Sequence, residues 1–117
     1  MKELKVNARL RIQPGKIDEF KKLADACVEM VKLKDKGTIQ YDWFYNEGKS
    51  ECIVRECYVN SEAALEHISN VGELLGELLA ISEISLEVYG SPSQTLLNAL
   101  EGFDVTYYEY GVGLATI

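Results

Sequence analysis

Glu56, Tyr58 and His67, the only histidine of the chain, all occur within the stretch "IVRECYVNSEAALEHIS". Alternating apolar residues in its first half are typical of a strand, and helical spacing follows, so the three side chains border a strand–helix junction. A histidine with a carboxylate neighbour can accept a proton near neutral pH. The stretch therefore predicts a catalytic pair, with His67 as general base and Glu56 as its orienting partner. The alternative is a structural histidine and a solvated glutamate.

Candidate substrate-binding residues lie on two further segments with strand-like alternation. Asn7 and Arg9 share the polar face of "LKVNARLRI", where they offer donors to an oxyanion. A face kept polar for solubility or for salt bridges in a dimer explains them equally well. Tyr41 and Trp43 share one face of "TIQYDWFYN" and can stack on a planar ligand, although aromatic residues at this period are commonly core or interface. With Tyr58, which strand parity places on the same face as the catalytic glutamate, these are the expected substrate-binding residues.

The order of the predicted elements decides how these residues meet. A strand, "LKVNARLRI", leads through a "PG" turn to a helix, and "TIQYDWFYN" and "CIVRECYV" then form a hairpin around "NEGKS". A helix from Asn60 to about Ala80, broken near Asn70 to Gly72, leads to a further strand, "EISLEVYG". Strand, helix, strand thus occurs twice, so we predict an α+β fold with a ferredoxin-like βαββαβ order, an antiparallel sheet, and helices on one face only.

The C-terminal part adds a short helix and a last strand. Ser91 is the expected N-cap, Pro92 takes the first helical position, and Gly102 follows the end, before the extended segment "VTYYEYG". The uncovered sheet face is expected to be half apolar, because both parities of the second strand carry aromatic residues. Such a face predicts a homodimer in which two sheets meet around a cavity, with the last segment crossing to the partner.

Length and composition limit the possible partners. The 117 residues predict a single domain over residues 1–117, and 12 basic against 19 acidic residues give a net charge of −7. This charge disfavours nucleic acid or an anionic membrane, and it leaves a small organic ligand or a protein as the expected partner. The three cysteines lack C-x-x-C spacing, and no apolar run approaches the length of a membrane span, so we expect a reduced, cytoplasmic protein. A single histidine also argues against a histidine-based zinc site.

Four segments together resemble the antibiotic biosynthesis monooxygenase family of dimeric α/β barrels, and the resemblance covers nearly the whole chain. They are "PGKIDEF", "GTIQYDWF", "ECYVNSEAALEH" and "LEVYGSPS", of which the third is the most specific. The resemblance implies a small homodimer. It also implies an enzyme that oxygenates a quinol, an anthrone or another phenolic compound with dioxygen, without flavin, haem or metal. The expected function is therefore a cofactor-independent monooxygenase.

Two other functions are compatible with this resemblance, because one fold serves several activities. The first is a dimer that binds a small ligand in the same cavity without turnover. The second is haem degradation, for which Asn7 and His67 fill two of the roles that the resemblance implies. The tryptophan expected there falls near Cys57 and Tyr58, whereas the only tryptophan is Trp43 on another strand, which disfavours the haem-degrading function.

Overall fold

The computed structural model describes residues 2–114, and it confirms the predicted α+β class and order of elements. One sheet and three helices follow one another as β1 Leu4–Ile12, α1 Ile17–Lys34, β2 Thr38–Asn46, β3 Glu51–Tyr58, α2 Ser61–Leu79, β4 Ser82–Tyr89, α3 Gln94–Ala99 and β5 Asp104–Tyr108. A single 3₁₀ turn, Glu47–Lys49, closes the predicted hairpin between β2 and β3. Ser50 leaves this turn with a positive φ of 51°.

The sheet has the strand order β2-β3-β1-β4-β5, and all pairs are antiparallel except β4 with β5. In this register Val6 of β1 lies opposite Glu56 of β3 on one side and opposite Val88 of β4 on the other. The prediction that the C-terminal segment crosses to a partner is wrong for β5, which pairs with β4 of its own chain. The Gly90 N–H donates to the Tyr108 carbonyl at 2.9 Å and the rings of Tyr89 and Tyr108 stack, which secures this pairing.

Helix α2 is continuous, so the predicted break near Asn70 to Gly72 is wrong. The side chain of Asn70 does not compete for helix backbone groups, because its amide donates to Asp35 at 2.8 Å. A glycine inside a helix is tolerated at a modest cost in stability. The start of the helix is fixed by Asn60, whose side chain accepts a hydrogen bond from the Ala63 N–H at 2.8 Å.

The N-cap of α3 is Ser93 and not Ser91 as predicted. Its hydroxyl accepts from the Leu96 N–H at 3.2 Å, while its own N–H donates to the Ser61 hydroxyl at 2.9 Å. Ser91 and Ser93 are equally good N-cap candidates in the sequence, and this contact with Ser61, the first residue of α2, favours Ser93. Gly102 follows the helix with φ +91°, in agreement with the prediction.

The uncovered face of the sheet is chiefly polar, which corrects the expectation of a half-apolar face. Its side chains include Arg9 and Glu51, joined by a salt bridge of 2.6 Å, and its largest exposed apolar group is Phe44. The other aromatic residues of β2 face the helices instead. Phe20 of α1 packs edge-on against Trp43 and Tyr45, so the aromatic side of β2 lies within the core.

Gly37, between α1 and β2, lies against the start of α2. Its carbonyl accepts from the Val59 N–H at 2.9 Å, and a Cβ at this position would be 2.6 Å from the Cβ of Ala63. We expect Gly37→Ala to lower the free energy of unfolding by about 1–3 kcal/mol, because the loop must move away from the helix. Urea unfolding followed by circular dichroism measures this change.

Gly72→Ala is the matched control, since a Cβ there meets no atom within 4 Å. Alanine is the better helix former, so this variant is expected to gain about 0.5–1 kcal/mol. If both variants shift the stability in the same direction, the close approach at Gly37 is not what requires glycine.

Candidate functional site

A cavity of about 100 Å³ lies between the helix-facing side of the sheet and the helices of the same chain. This position corrects the expectation of a cavity between two sheets, because the aromatic side of β2 turns towards the helices. Most of the wall is apolar. It includes Val6 and Val54 of the sheet, Ile68 and Val71 of α2, and Leu96 and Phe103 of the C-terminal part.

The polar groups of the cavity gather at one end, where β3 and α2 meet. Glu56 and Tyr58 point from β3 to the helix side, and the Tyr58 hydroxyl donates to Oε1 of Glu56. His67 enters from α2, with Nε2 3.9 Å from the same oxygen, which is longer than a hydrogen bond. The ring of Tyr41 lies 4.9 Å from the imidazole. The structure therefore brings together the predicted pair, Tyr58 and one of the two β2 aromatics.

The hydrogen bond that orients His67 comes from Asp35, a residue that the sequence analysis missed. Nδ1 of His67 lies 2.8 Å from Oδ2 of Asp35, and the side chains are 8% and 1% exposed. Asp35 also accepts from the Thr38 hydroxyl at 2.7 Å and from the Asn70 amide at 2.8 Å. Asp35 thus holds the position that the sequence interpretation gave to Glu56.

The two carboxyl groups around His67 differ in their protonation behaviour. Burial raises the pKa of Asp35, but hydrogen bonds from Asn70, Thr38 and His67 outweigh it and hold this pKa below its usual range. Burial raises the pKa of Glu56, against the opposing effects of His67 and the Tyr58 hydroxyl. An ionised Asp35 accepts the Nδ1 proton, so the lone pair of the neutral imidazole lies on Nε2, beside Glu56. The site therefore presents a base to the cavity.

Glu56→Gln is expected to stabilise the fold increasingly as the pH rises. Burial raises the pKa of Glu56 in the folded chain, so the protonated carboxyl stabilises the fold fully below its unfolded pKa of about 4.3. That contribution is lost as the pH rises through the folded value, whereas glutamine stays uncharged. Scanning calorimetry should show the variant's melting temperature rising relative to that of the native protein as the pH increases above about 4.

Glu62→Gln, which replaces an exposed carboxylate in the first turn of helix α2, is the control for this experiment. A difference in melting temperature between Glu56→Gln and the native protein that stays constant with pH would contradict a buried, titrating Glu56.

The remaining candidates divide between the two faces of the sheet. Asn7 and Arg9 border a separate pocket on the uncovered face, across the sheet from His67, so the structure does not bring them to the cavity. Strand parity indicates this separation, because Asn7 alternates with apolar residues whereas Glu56 shares its parity with the buried Val54.

Trp43 and Tyr41 both line the cavity. Tyr41 has its pKa raised by burial and by the neighbouring carboxyl of Glu56, and the Cys27 thiol lies beside its hydroxyl. The Nε1 of Trp43 is buried without a hydrogen-bond partner among the described residues. This donor has almost no accessible surface, so it faces the surrounding side chains and not the cavity.

The described residues give two further observations on possible sites. Between residues 2 and 114, no group of three or more His, Cys, Asp or Glu side chains is arranged to hold a metal ion. Within the same range, no helix is both long and apolar enough to cross a bilayer.

Comparison with known proteins gives one family and several similar structures. The sequence model described as antibiotic biosynthesis monooxygenase matches residues 4–71. A search of curated proteins found no match. The crystal structure of MupZ from Pseudomonas fluorescens is similar with a TM-score of 0.80 and 19% identity, covering 99% of this chain and 96% of that one.

Two further structures cover less of the chain. SnoaB from Streptomyces nogalater, described as a cofactor-independent oxygenase, has a TM-score of 0.67 and 12% identity over 80% of this chain and 97% of its own. Rv0793 from Mycobacterium tuberculosis has a TM-score of 0.68 and 18% identity over 79% of this chain and 97% of its own. At these identities the structures support the fold alone.

Proposed function

Since the chain belongs to the antibiotic biosynthesis monooxygenase family, we propose that it oxygenates a small phenolic or quinol-type molecule with dioxygen and without a cofactor. The observation that carries this proposal is the array of Asp35, His67 and Glu56 at the polar end of an apolar cavity. An array of this kind supplies the one group that the reaction needs from the protein, which is a base within reach of a ring hydroxyl.

The proposed reaction begins when Nε2 of His67 takes the proton of the substrate hydroxyl. The resulting imidazolium ion is stabilised by the carboxylate of Asp35, to which Nδ1 donates at 2.8 Å. The phenolate transfers one electron to dioxygen, and the superoxide and ring radicals combine to form a C–O bond. His67 returns the proton to the peroxide. Loss of water then breaks the O–O bond and removes the ring hydrogen at that carbon, leaving a carbonyl group.

The apolar wall of the cavity supports this chemistry in two ways. It excludes water, so a phenolate beside His67 is less solvated and a better electron donor than in solution. It also offers dioxygen, itself apolar, an apolar environment. Six of these wall residues, Val6, Val54, Ile68, Val71, Leu96 and Phe103, come from four different elements and a loop.

Oxygen uptake tests the proposal directly. Protein treated with a chelator is incubated with a panel of hydroquinones, catechols and anthrones, and uptake is followed at an oxygen electrode. Uptake above the rate without protein, with equal consumption of substrate and oxygen, is the expected result. Uptake that requires added flavin or metal would contradict the proposal. A Soret band on isolation, with turnover to a bile pigment, would favour haem degradation instead.

A second candidate function is binding of such a molecule without turnover. The largely apolar wall of the cavity favours it, because burial of an apolar ligand contributes to affinity whether or not a reaction follows. Saturable binding without oxygen uptake for any member of the panel would identify this function.

We also propose a homodimer formed through the uncovered faces of two sheets. Phe44 is 55% exposed on this face, and burying it against a partner removes apolar surface from water. Light scattering at micromolar concentration should therefore give twice the 13.1 kDa of one chain. Phe44→Glu should give a folded monomer, whereas Leu33→Glu, at an exposed position of α1, should leave the mass unchanged. A native protein that is a folded monomer would contradict this proposal.

The cytoplasmic location predicted from the sequence stays a prediction. It is supported by the state of the cysteines, since Cys27, Cys52 and Cys57 are all buried, free thiols.

A further inference from the structure

Two polar atoms at the end of the cavity where β3 and α2 meet are free to bind a ligand. They are Nε2 of His67 and Oε2 of Glu56, and neither forms a hydrogen bond with any described residue. Over the same residues, Nε1 of Trp43 is the one side-chain polar atom that is fully buried without a partner. Nε2 and Oε2 therefore keep some accessible surface, and the cavity is the space that both side chains border.

The two free atoms lie close together and have complementary roles. Nε2 of His67 is 3.9 Å from Oε1, the other oxygen of the Glu56 carboxyl group. Nε2 is an acceptor, because Asp35 holds the proton on Nδ1. Burial raises the pKa of Glu56, which favours its protonated form, and Oε1 accepts from the Tyr58 hydroxyl, so the proton belongs on Oε2. This end of the cavity therefore offers an acceptor and a donor side by side.

The rest of the described wall offers no comparable pair of free atoms. Away from Glu56 and His67, its polar side chains are two tyrosines, one tryptophan and one cysteine. The Tyr58 hydroxyl is engaged by Glu56, and the Tyr41 hydroxyl lies beside a thiol. All other described wall residues are apolar. A ligand oxygen that faces this part of the wall loses its hydrogen bonds to water without replacement, which is costly.

We infer that Glu56 is a ligand-binding residue, whose Oε2 binds a second oxygen on the ring carbon next to the one whose hydroxyl meets His67. This inference rests on the proposed function for the position of the first hydroxyl, and it adds the position of the second oxygen. Oxygens on neighbouring ring carbons point the same way, so they can reach Nε2 and Oε2 together. The oxygens of a para isomer point in opposite directions, so one of them must face the apolar wall.

Binding of two isomers in the absence of oxygen tests this inference. Catechol carries its hydroxyls on neighbouring carbons and hydroquinone carries them in para positions, while the two molecules have the same atoms and nearly the same volume. Anaerobic calorimetry should show that the native protein binds catechol about 10-fold more tightly or better, because catechol gains one hydrogen bond and leaves no oxygen unpaired.

Two substitutions at Glu56 assign this preference to its side chain. Glu56→Leu removes both oxygens, so the variant should bind catechol and hydroquinone equally. Glu56→Gln is the matched control, because the Tyr58 hydroxyl can still donate to the amide oxygen and so direct the amide N–H group towards the ligand. This variant should therefore retain the preference for catechol.

The inference is overturned if the native protein binds neither isomer, binds both equally or prefers hydroquinone. An undiminished preference in Glu56→Leu, or its loss in a folded Glu56→Gln protein, also contradicts it. The comparison of isomers uses the native protein, so it does not depend on a variant folding. A preference for catechol without oxygen uptake would leave the inference standing and refute the proposed monooxygenase. Oxygen uptake with equal affinities would do the reverse.

Discussion

His67→Ala is expected to lower the rate of oxygen uptake by about 100- to 10,000-fold, which is the contribution of a well-placed general base. The proposed reaction assigns the base to His67, since its Nδ1 is bound by Asp35 and its Nε2 lies beside Glu56 in the cavity. Glu56 is the nearest alternative proton acceptor, but its Oε1 is already engaged by the Tyr58 hydroxyl. Steady-state oxygen uptake with the best substrate of the panel measures the loss.

Asn70→Ala is the matched control for this variant. Asn70 follows His67 on α2 and donates to the other oxygen of Asp35 at 2.8 Å, so its loss removes a comparable hydrogen bond from the same carboxylate. We expect similar losses of stability in the two variants but a rate within about 10-fold of native for Asn70→Ala. Unchanged turnover in a folded His67→Ala protein, or equal rates in both variants, would show that His67 is structural.

Asp35→Asn is expected to lower the same rate by roughly 100- to 10,000-fold, although no atom of Asp35 lines the cavity. Asparagine keeps the shape of the side chain, but its amide can donate to Nδ1. The imidazole proton then moves to Nε2, which can no longer accept from the substrate. The imidazolium ion also loses its counter-ion, so the acid side of the pH–rate profile should move to lower pH.

Thr38→Val separates this effect from a structural one. The Thr38 hydroxyl donates to Oδ2 of Asp35 at 2.7 Å, so valine removes one bond from the carboxylate without changing the partner of His67. We expect a loss of about 1 kcal/mol in the free energy of unfolding and an unchanged pH profile. If the profile moves equally in Thr38→Val and Asp35→Asn, Asp35 does not act by fixing the proton on His67.

Much of the fold could be predicted because its signals are local. Alternation along β1 and β3 gave the strands, and parity placed Tyr41 and Trp43 together on one face, where the structure has them. The predicted element boundaries that were wrong depend on contacts between residues distant in sequence. Ser93 caps α3 because its N–H donates to the hydroxyl of Ser61, and no local signal in the sequence distinguishes Ser93 from Ser91.

Part of the candidate site could also be predicted from local signals in the sequence. Glu56, Tyr58 and His67 lie close together in the sequence and also in space, so one junction indicated all three. Asp35 lies 32 residues before His67, in a loop whose sequence shows no periodicity, and only the packing of α1 against α2 brings the two together. Asn7 was assigned to the site because its amide suits an oxyanion, although its strand parity placed it on the other face.

The distribution of the cavity residues along the chain separates reactivity from selectivity. Asp35, Glu56 and His67 all fall within residues 4–71, the part that matches the family, whereas α3 and Phe103 close one side of the cavity from beyond it. Under the proposed function, the acid–base groups and the C-terminal wall can therefore be exchanged separately. A chimaera that exchanges residues 91–103 between two members of the family would exchange their substrate selectivity and keep the reaction that they catalyse.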